Sequence, residues 1–339
     1  MKSIPTIIIL SLLAANAAAT WEALPLQAPA PADNPTTAEK VELGKMLFFD
    51  PRFSETGTVS CFSCHNVMEG GDDHRSVSIG VHGQVGGRNA PTVWNAAFLS
   101  SQFWDGRAAT LEEQAMGPVT NPIEMGMGSL DDALARIHAI PGYKQHFDNA
   151  FPGEDSVTME NAAKAIAAYE RTLITPNSPY DRYVKGEQTA LSAQAIRGME
   201  TFESVGCTAC HSGATFDGPD MPLGAGFFVK FPTFEGSSDL HKYDLLADEG
   251  RYTATNNSAD KNVWRVPTLR NLEYTAPYFH NGSVKSLEEA VQVMAETQLD
   301  RKLSYEQTAD IVSFLENLNG EFPAQTMPRL PPTPGDLLD

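Results

Sequence analysis

"CFSCH" at residues 61–65 and "CTACH" at residues 207–211 are two copies of one pattern, Cys-x-x-Cys-His. Together they contain all four cysteines of the 339-residue chain. A disulfide or a zinc site would explain a bare Cys-x-x-Cys pair, but zinc favours two such pairs about 15–20 residues apart, and neither alternative requires the histidine. The pattern is typical of covalent haem c, in which both thiols bond to the porphyrin and the histidine ligates the iron.

The N-terminus has the features of a secretory signal over residues 1–19. Lys2 precedes an apolar stretch at residues 7–15, and the alanines at 17–19 suit a signal peptidase. A membrane helix needs about 20 apolar residues, and neither this stretch nor any later one is that long. We therefore expect an exported protein without a membrane span.

Length and charge limit the remaining possibilities. Removing 19 residues from 339 leaves 320, above the size at which single cores usually stop growing, so two domains are expected. Loss of Lys2 takes the formal net charge from −19 to −20. Such a charge repels nucleic acid and anionic membrane surfaces, and it suits a neutral or basic protein partner.

Each haem motif follows a predicted helix with the same Gly-x-x-x-Phe spacing. The first helix carries Gly44 and Phe48, and the second carries Gly198 and Phe202. We interpret this as an internal repeat, in which a helix whose glycine allows close packing is followed by the haem loop and then by more helices.

Capping signals predict where the helices begin. These are Thr36 with Glu39, Thr110 with Glu113, Ser192, Ser286 with Glu289, and Ser304 with Gln307. Another helix is predicted over about residues 158–174, followed by a connector at 175–188 rich in turn-forming residues. Few stretches alternate with a two-residue period, so the predicted fold class is all-α, with two cytochrome c-like haem domains and little sheet.

The predicted organisation has five parts. They are a signal peptide at 1–19, a Pro-rich arm at 20–35, a first haem domain at 36–176, a second haem domain at 177–322 and a Pro-rich tail at 323–339.

Two haems permit an electron carrier, a sensor, or an enzyme that stores an electron on one haem for use at the other. The ligand opposite the histidine decides among them, because methionine closes the iron whereas an open position admits a substrate. Several methionines and histidines can reach each haem, so spacing alone leaves this choice open.

Eight segments are similar to those of the bacterial dihaem cytochrome c peroxidases and occur in the same order. They are "LGKMLFFDPRFS", "CFSCHN", "RNAPTVWNA", "QFWDGRAATLEEQAMGPV", "NPIEM", "CTACHSG", "VPTLRNLEYTAPYFHNGSV" and "AVQVMAETQL". The resemblance covers nearly the whole mature chain. It implies a periplasmic homodimer that reduces hydrogen peroxide to water with electrons from a small cytochrome c or a cupredoxin.

The resemblance also implies a different role for each haem. The first is the low-potential peroxidatic haem, anchored by Cys61 and Cys64 and ligated by His65. The second receives the electrons at high potential, and its anchors and iron ligands are Cys207, Cys210, His211 and Met294. Without the match of "AVQVMAETQL", Met294 would be interpreted as a core methionine of an apolar helix face.

Three more residues receive roles by resemblance: Glu124 as distal acid, Gln114 as distal amide and Trp104 as electron relay between the haems. Splitting peroxide requires moving a proton from one oxygen to the other, and a carboxylate can accept and return it. An ordinary polar helix position for Gln114 and a core position for Trp104 are the alternatives.

A calcium ion at the domain interface is implied by resemblance as well, bound by Asn89 and by main-chain oxygens of Thr275 and Pro277. Oxygen ligands suit calcium, although the sequence contains no Asp-rich calcium loop.

One segment departs from the family. A displaceable distal histidine usually follows Ser-Ile-Gly, but "SIGVHGQ" has Val81 there and His82 one residue later. Either the shifted imidazole of His82 still reaches the first iron, or that iron is open and the enzyme is active without prior reduction.

Two other functions stay open. A dihaem electron carrier would have two closed irons and no dependence on Glu124. A related dihaem oxidase, which matures tryptophylquinone cofactors on a partner protein, would carry a tyrosine in place of Met294. His280 matches the family pattern, but we assign it no chemistry.

Overall fold

The computed structural model describes residues 21–153, 155–333 and 335. The predicted signal peptide at 1–19 lies outside the described residues. Within the described ranges, no helix is long and apolar enough to cross a membrane.

Twelve α-helices and one small sheet are present in the part of the chain that the structure describes, together with six short 3-10 helices. The helices are α1 Ala38–Phe49, α2 Cys61–Cys64, α3 Leu111–Thr120, α4 Leu130–His138, α5 Gly142–Ala150, α6 Met159–Glu170, α7 Pro179–Val184, α8 Ala193–Val205, α9 Asp239–Lys242, α10 Tyr252–Thr255, α11 Leu287–Leu299 and α12 Tyr305–Glu316. Strands β1 Phe228–Lys230 and β2 Val263–Arg265 pair antiparallel, with Phe228 opposite Arg265. The predicted all-α class with little sheet is confirmed.

Most helix starts are where the capping signals predict them. The hydroxyls of Thr110, Ser192, Ser286 and Ser304 each accept a backbone N–H from the third helical residue, at 3.1–3.2 Å. Such bonds satisfy donors that have no partner inside the helix.

The first helix begins one residue later than predicted. Thr37, not Thr36, is the N-cap of α1, and its hydroxyl accepts the backbone N–H of Lys40 at 3.3 Å. Because Lys40 then takes the third helical position, Glu39 cannot complete a capping box. The Lys40 ammonium donates instead to Asn34 Oδ1 at 2.9 Å.

The end of the first haem unit and the connector that follows it also differ from the prediction. The helix expected over about 158–174 is α6, which has Thr158 as its N-cap and ends at Glu170. The connector expected at 175–188 contains α7. Ser178 and Asp181 form a capping box for this helix, and Pro179 stands at its first position, where a missing N–H is harmless.

The repeated glycines bring two pairs of helices into backbone contact. A Cβ atom on Gly44 would lie 1.8 Å from the main-chain oxygen of Ala165, so α1 and α6 touch there. A Cβ on Gly198 would lie 1.9 Å from the oxygen of Asp310, so α8 and α12 touch in the same way. The close packing expected of the repeat is confirmed in both units.

Each end of the chain contacts the haem unit that is farther from it in sequence. Trp21 packs edge-on against Tyr180 and Phe314 in the second unit, with ring centroids 6.3 and 5.8 Å apart. At the other end, the main-chain oxygen of Pro331 accepts a hydrogen bond from Arg52 of the first unit at 2.9 Å. The arm and the tail therefore connect the predicted domains, whose boundaries at 36–176 and 177–322 stay a prediction.

Candidate haem sites

The first motif forms α2 and places His65 directly after it. The Nδ1 atom of His65 lies 3.3 Å from the main-chain oxygen of Gly71, which leaves Nε2 as the nitrogen that can face a metal. Gly71 has a φ of +80°, and a Cβ there would lie 2.6 Å from the Trp94 ring. Burial lowers the pKa of His65, so its imidazole is neutral, as an iron ligand must be.

The second motif repeats this arrangement. The Nδ1 atom of His211 lies 2.8 Å from the main-chain oxygen of Phe216. Burial also lowers the pKa of His211. The backbone of the five or six residues that follow each histidine thus orients its ring.

All four cysteines are free thiols. Burial raises the pKa of Cys61 and of Cys207 to about 12, so these thiols are uncharged. Each site therefore offers two unpaired thiols and a backbone-anchored neutral imidazole beside a cavity, which is the set of groups that haem c requires.

The first cavity brings together five residues that were predicted to serve the haems, since it is lined by Cys64, His65, Trp104, Gln114 and Glu124. Glu124 lies in the turn after α3. Burial raises the pKa of its carboxyl group, while the charge of Arg107 and a hydrogen bond from Asn121 oppose the shift. That bond runs from Asn121 Nδ2 to Glu124 Oε1 at 2.8 Å. An acid that is partly buried and held in place suits the exchange of a proton with a bound molecule.

The second cavity is lined by Cys207, Cys210, His211 and Met294. Met294 lies on α11 between Val293 and Ala295, which are buried in the core. Trp104 lines this cavity as well as the first.

The segment around Trp104 forms a wall that the two cavities share. Both are lined by Asn89, Ala90, Pro91, Thr92, Phe103 and Trp104. The Trp104 indole nitrogen donates to the main-chain oxygen of Asn89 at 2.9 Å, which holds the ring within this wall.

His82 lies away from these groups. It stands in a short loop closed by a bridge between Ile79 and Val85, with a φ of +56°. Its side chain is 57% exposed, and Nε2 lies 3.1 Å from a carboxylate oxygen of Glu55. Val81, which takes the position after Ser-Ile-Gly, is buried in the core.

The three residues expected to bind calcium all line the second cavity: Asn89, Thr275 and Pro277. Asn89 is buried, and its amide nitrogen donates to the main-chain oxygen of Arg75 at 2.8 Å. Its Oδ1 atom is therefore the one that suits a cation.

Sequence reasoning gave no role to two buried residues near the cavities. Glu170 lines the first cavity from α6, and an acid within an alanine-rich helix is the signal that would have found it. His280 stacks on Trp264 with ring centroids 4.1 Å apart, and burial lowers its pKa to about 4. Only the packing of distant segments buries His280, so no local signal marks it.

Each of the two helical units has a Cys-x-x-Cys-His site and its own cavity. This arrangement defines a c-type haem protein with two haem sites. The sequence model described as "Di-haem cytochrome c peroxidase" matches residues 38–189. The cytochrome c551 peroxidase of Nitrosomonas europaea is 42% identical over 312 residues, 92% of this chain and 89% of that protein. The cytochrome c peroxidase Ccp of Escherichia coli is 44% identical over 87% of this chain and 61% of that one.

A solved structure has a similar fold. The crystal structure of a MauG-like protein associated with microbial copper homeostasis aligns with a TM-score of 0.75 and 29% identity, covering 90% of this chain and 96% of that one. The chain belongs to the di-haem cytochrome c peroxidase family. That family carries two haems, and the two Cys-x-x-Cys-His sites are the places that fit them.

Proposed function

We propose that this chain reduces hydrogen peroxide to water with electrons from a small soluble protein, a cytochrome c or a cupredoxin. This proposal rests on a difference between the two cavities that share the Trp104 wall. One is lined by Glu124 and Gln114, which suit proton transfer, and the other by Met294, which suits a closed iron. The first site is therefore assigned to peroxide and the second to electron uptake.

At the first site, Glu124 accepts a proton from one peroxide oxygen and returns it to the other, acting as base and then as acid. Gln114 orients the peroxide through its amide group. Bound haem supplies the binding position and electrons for breaking the O–O bond. Each peroxide takes up two electrons and two protons and leaves as two waters.

At the second site, His211 and Met294 would hold the iron of the bound haem, which would take up an electron from the donor protein. Trp104, in the wall that the two cavities share, would pass that electron to the first site. Methionine ligation raises the potential of a haem, which favours taking an electron from a donor. The net charge of −19 favours a donor with a neutral or basic face.

The surroundings of His82 favour one of the two alternatives for the resting enzyme. Its imidazole pairs with Glu55 and does not line the first cavity, while Val81, at the position where the family has its histidine, is buried in the core. We therefore propose that the first iron is open without prior reduction.

Three further proposals, on location, oligomeric state and calcium, rest on the family and on the sequence. We propose a periplasmic location, from the signal-like segment at 1–19, and a homodimer, by analogy. We also propose a calcium ion on Asn89, Thr275 and Pro277, which is supported by their common place beside the second cavity.

The dihaem oxidase is the second candidate, favoured by the likeness to a MauG-like structure. That group carries a tyrosine at the position of Met294, so the methionine here is evidence against the oxidase function.

A turnover assay tests the proposed function. Holoprotein with both haems attached, reduced by one electron, is mixed with reduced cytochrome c or reduced cupredoxin, and peroxide is added. We expect donor oxidation with two donors consumed per peroxide. If neither donor is oxidised in a peroxide-dependent way, the chain is an electron carrier or an oxidase instead.

A further inference from the structure

Glu170 is an acidic residue in the first cavity that the proposed reaction does not use. It is the last residue of α6 and is 4% exposed. It lines the same cavity as His65, Gln114 and Glu124. Its Oε2 atom is buried and has no hydrogen-bond partner among the described residues.

The cationic residue next to Glu170 in sequence donates its hydrogen bond to another carboxylate. Arg171 follows Glu170 in sequence, but its Nη2 donates to Glu112 Oε1 at 2.7 Å. Asn34 donates to the same oxygen, also at 2.7 Å. Glu112 thus takes both donors, and Oε2 of Glu170 is left without a hydrogen-bond donor, so only the charge of Arg171 favours its ionised form.

An unpaired buried carboxylate is strongly unfavourable, so such a group takes up a proton and becomes neutral. The cavity beside it is where the first haem fits. A carboxyl group that gains or loses a charge there alters the electrostatic potential at the iron, because little water screens it.

We propose that Glu170 is a proton-holding residue of the first cavity, neutral at neutral pH, whose ionisation lowers the reduction potential of the first haem. This inference rests on the proposed placement of that haem beside His65. The direction of the change in reduction potential follows from the charge of Glu170. An ionised Glu170 stabilises ferric over ferrous iron, so the potential falls as the residue loses its proton.

The groups around Glu170 agree with this assignment. Burial raises its pKa to about 8, Arg171 opposes the shift and Glu112 adds to it. Tyr169 on the same helix is uncharged, since burial raises its pKa above the usual range. Cys61 on α2 interacts with Glu170, but it no longer titrates once it is bonded to haem.

The other charged or titratable groups lining the cavity are Cys64, His65, Arg88, Asp105, Arg107, Glu124 and Asp248. Asp105 and Asp248 each pair with Arg88, at 2.6 and 2.7 Å. The Glu124 carboxylate has a hydrogen-bond donor in Asn121. These three acids therefore have polar partners, and substitution of Glu170 separates its contribution from theirs.

The test is a spectroelectrochemical titration of the first haem in holoprotein, repeated from about pH 6 to about pH 9 to span the ionisation of Glu170. Glu170→Gln is compared with the parent and with Glu160→Gln, which removes an exposed acid from the same helix. In the parent and in Glu160→Gln, we expect a potential that falls as pH rises through about 8. In Glu170→Gln this fall should be absent.

A Glu170→Gln protein with the same fall as the parent would overturn the proposal. Infrared spectroscopy of the parent is a second measurement, which needs no variant. It should show the carbonyl band of a buried protonated carboxyl that disappears over the same pH range, and a missing band also overturns the proposal. Neither measurement uses peroxide or a donor, so a failed turnover assay beside a pH-dependent potential refutes the proposed function and leaves the role of Glu170 standing.

Discussion

Trp104 donates its indole N–H to the main-chain oxygen of Asn89 at 2.9 Å, and both residues line both haem cavities. The ring is therefore held within the wall that borders both sites. This relationship explains how two similar motifs can act as one system.

Trp104→Phe keeps an aromatic ring but removes the indole donor. We expect slower electron transfer between the haems, and a free energy of unfolding lower by about 1 kcal/mol because one hydrogen bond is lost. Stopped-flow reduction of the first haem by way of the second measures the rate. Trp94→Phe is the matched control, because it loses a similar bond to the oxygen of Glu69 at 3.0 Å. Equal rates for the parent and Trp104→Phe would exclude the relay.

The helix contact at Gly44 predicts a large loss of stability on substitution. In Gly44→Ala the new methyl group overlaps the Ala165 backbone, so α1 and α6 must separate. We expect a loss of about 3 kcal/mol or more in unfolding free energy, measured by chemical denaturation. Gly236→Ala, where a Cβ meets nothing within 4 Å, should be neutral. A Gly44→Ala protein with the same unfolding free energy as the parent would show that the backbones of α1 and α6 are not in contact.

Glu170 also predicts how stability depends on pH. Its pKa is about 8 when folded and near the ordinary value of 4.5 when unfolded, so above 4.5 the unfolded chain releases a proton that the folded chain keeps. The stability contributed by the protonated group is lost as pH rises from 4.5 to about 8. Glu170→Gln removes this dependence, so its stability relative to the parent should increase over that range. A constant difference in thermal midpoint would contradict the assignment.

His82 has a spectroscopic test. With its imidazole on Glu55, the first haem of the fully oxidised protein should give a high-spin signal, and His82→Gly should leave that signal unchanged. Electron paramagnetic resonance distinguishes the states. A low-spin first haem that becomes high-spin only in His82→Gly would identify His82 as the resting ligand.

Much of the fold follows from local signals. The Cys-x-x-Cys-His motifs, the glycines at 44 and 198 and the serine and threonine caps act within a few residues of chain, so the sequence alone locates them. The start of α1 lies one residue later than predicted, because Thr36 and Thr37 are adjacent and only the geometry of the first turn selects between them.

Features made by distant segments were harder to predict. Glu170 becomes a cavity residue only because α6 packs against α1 and α3, and His280 is buried only by contact with Trp264. The sequence also cannot show that Val81 fills the core beside Gly126 while His82 turns outward.

The central claim is that Glu124 transfers the proton during peroxide cleavage at the first haem. Peroxide turnover by half-reduced Glu124→Gln holoprotein, with both haems intact by spectrum, tests it most directly, with Glu160→Gln as control. We predict that kcat falls about 100-fold or more in Glu124→Gln, since a general acid–base group contributes at least that much, and that the control is unaffected. A Glu124→Gln enzyme that turns over as fast as the parent would contradict the account.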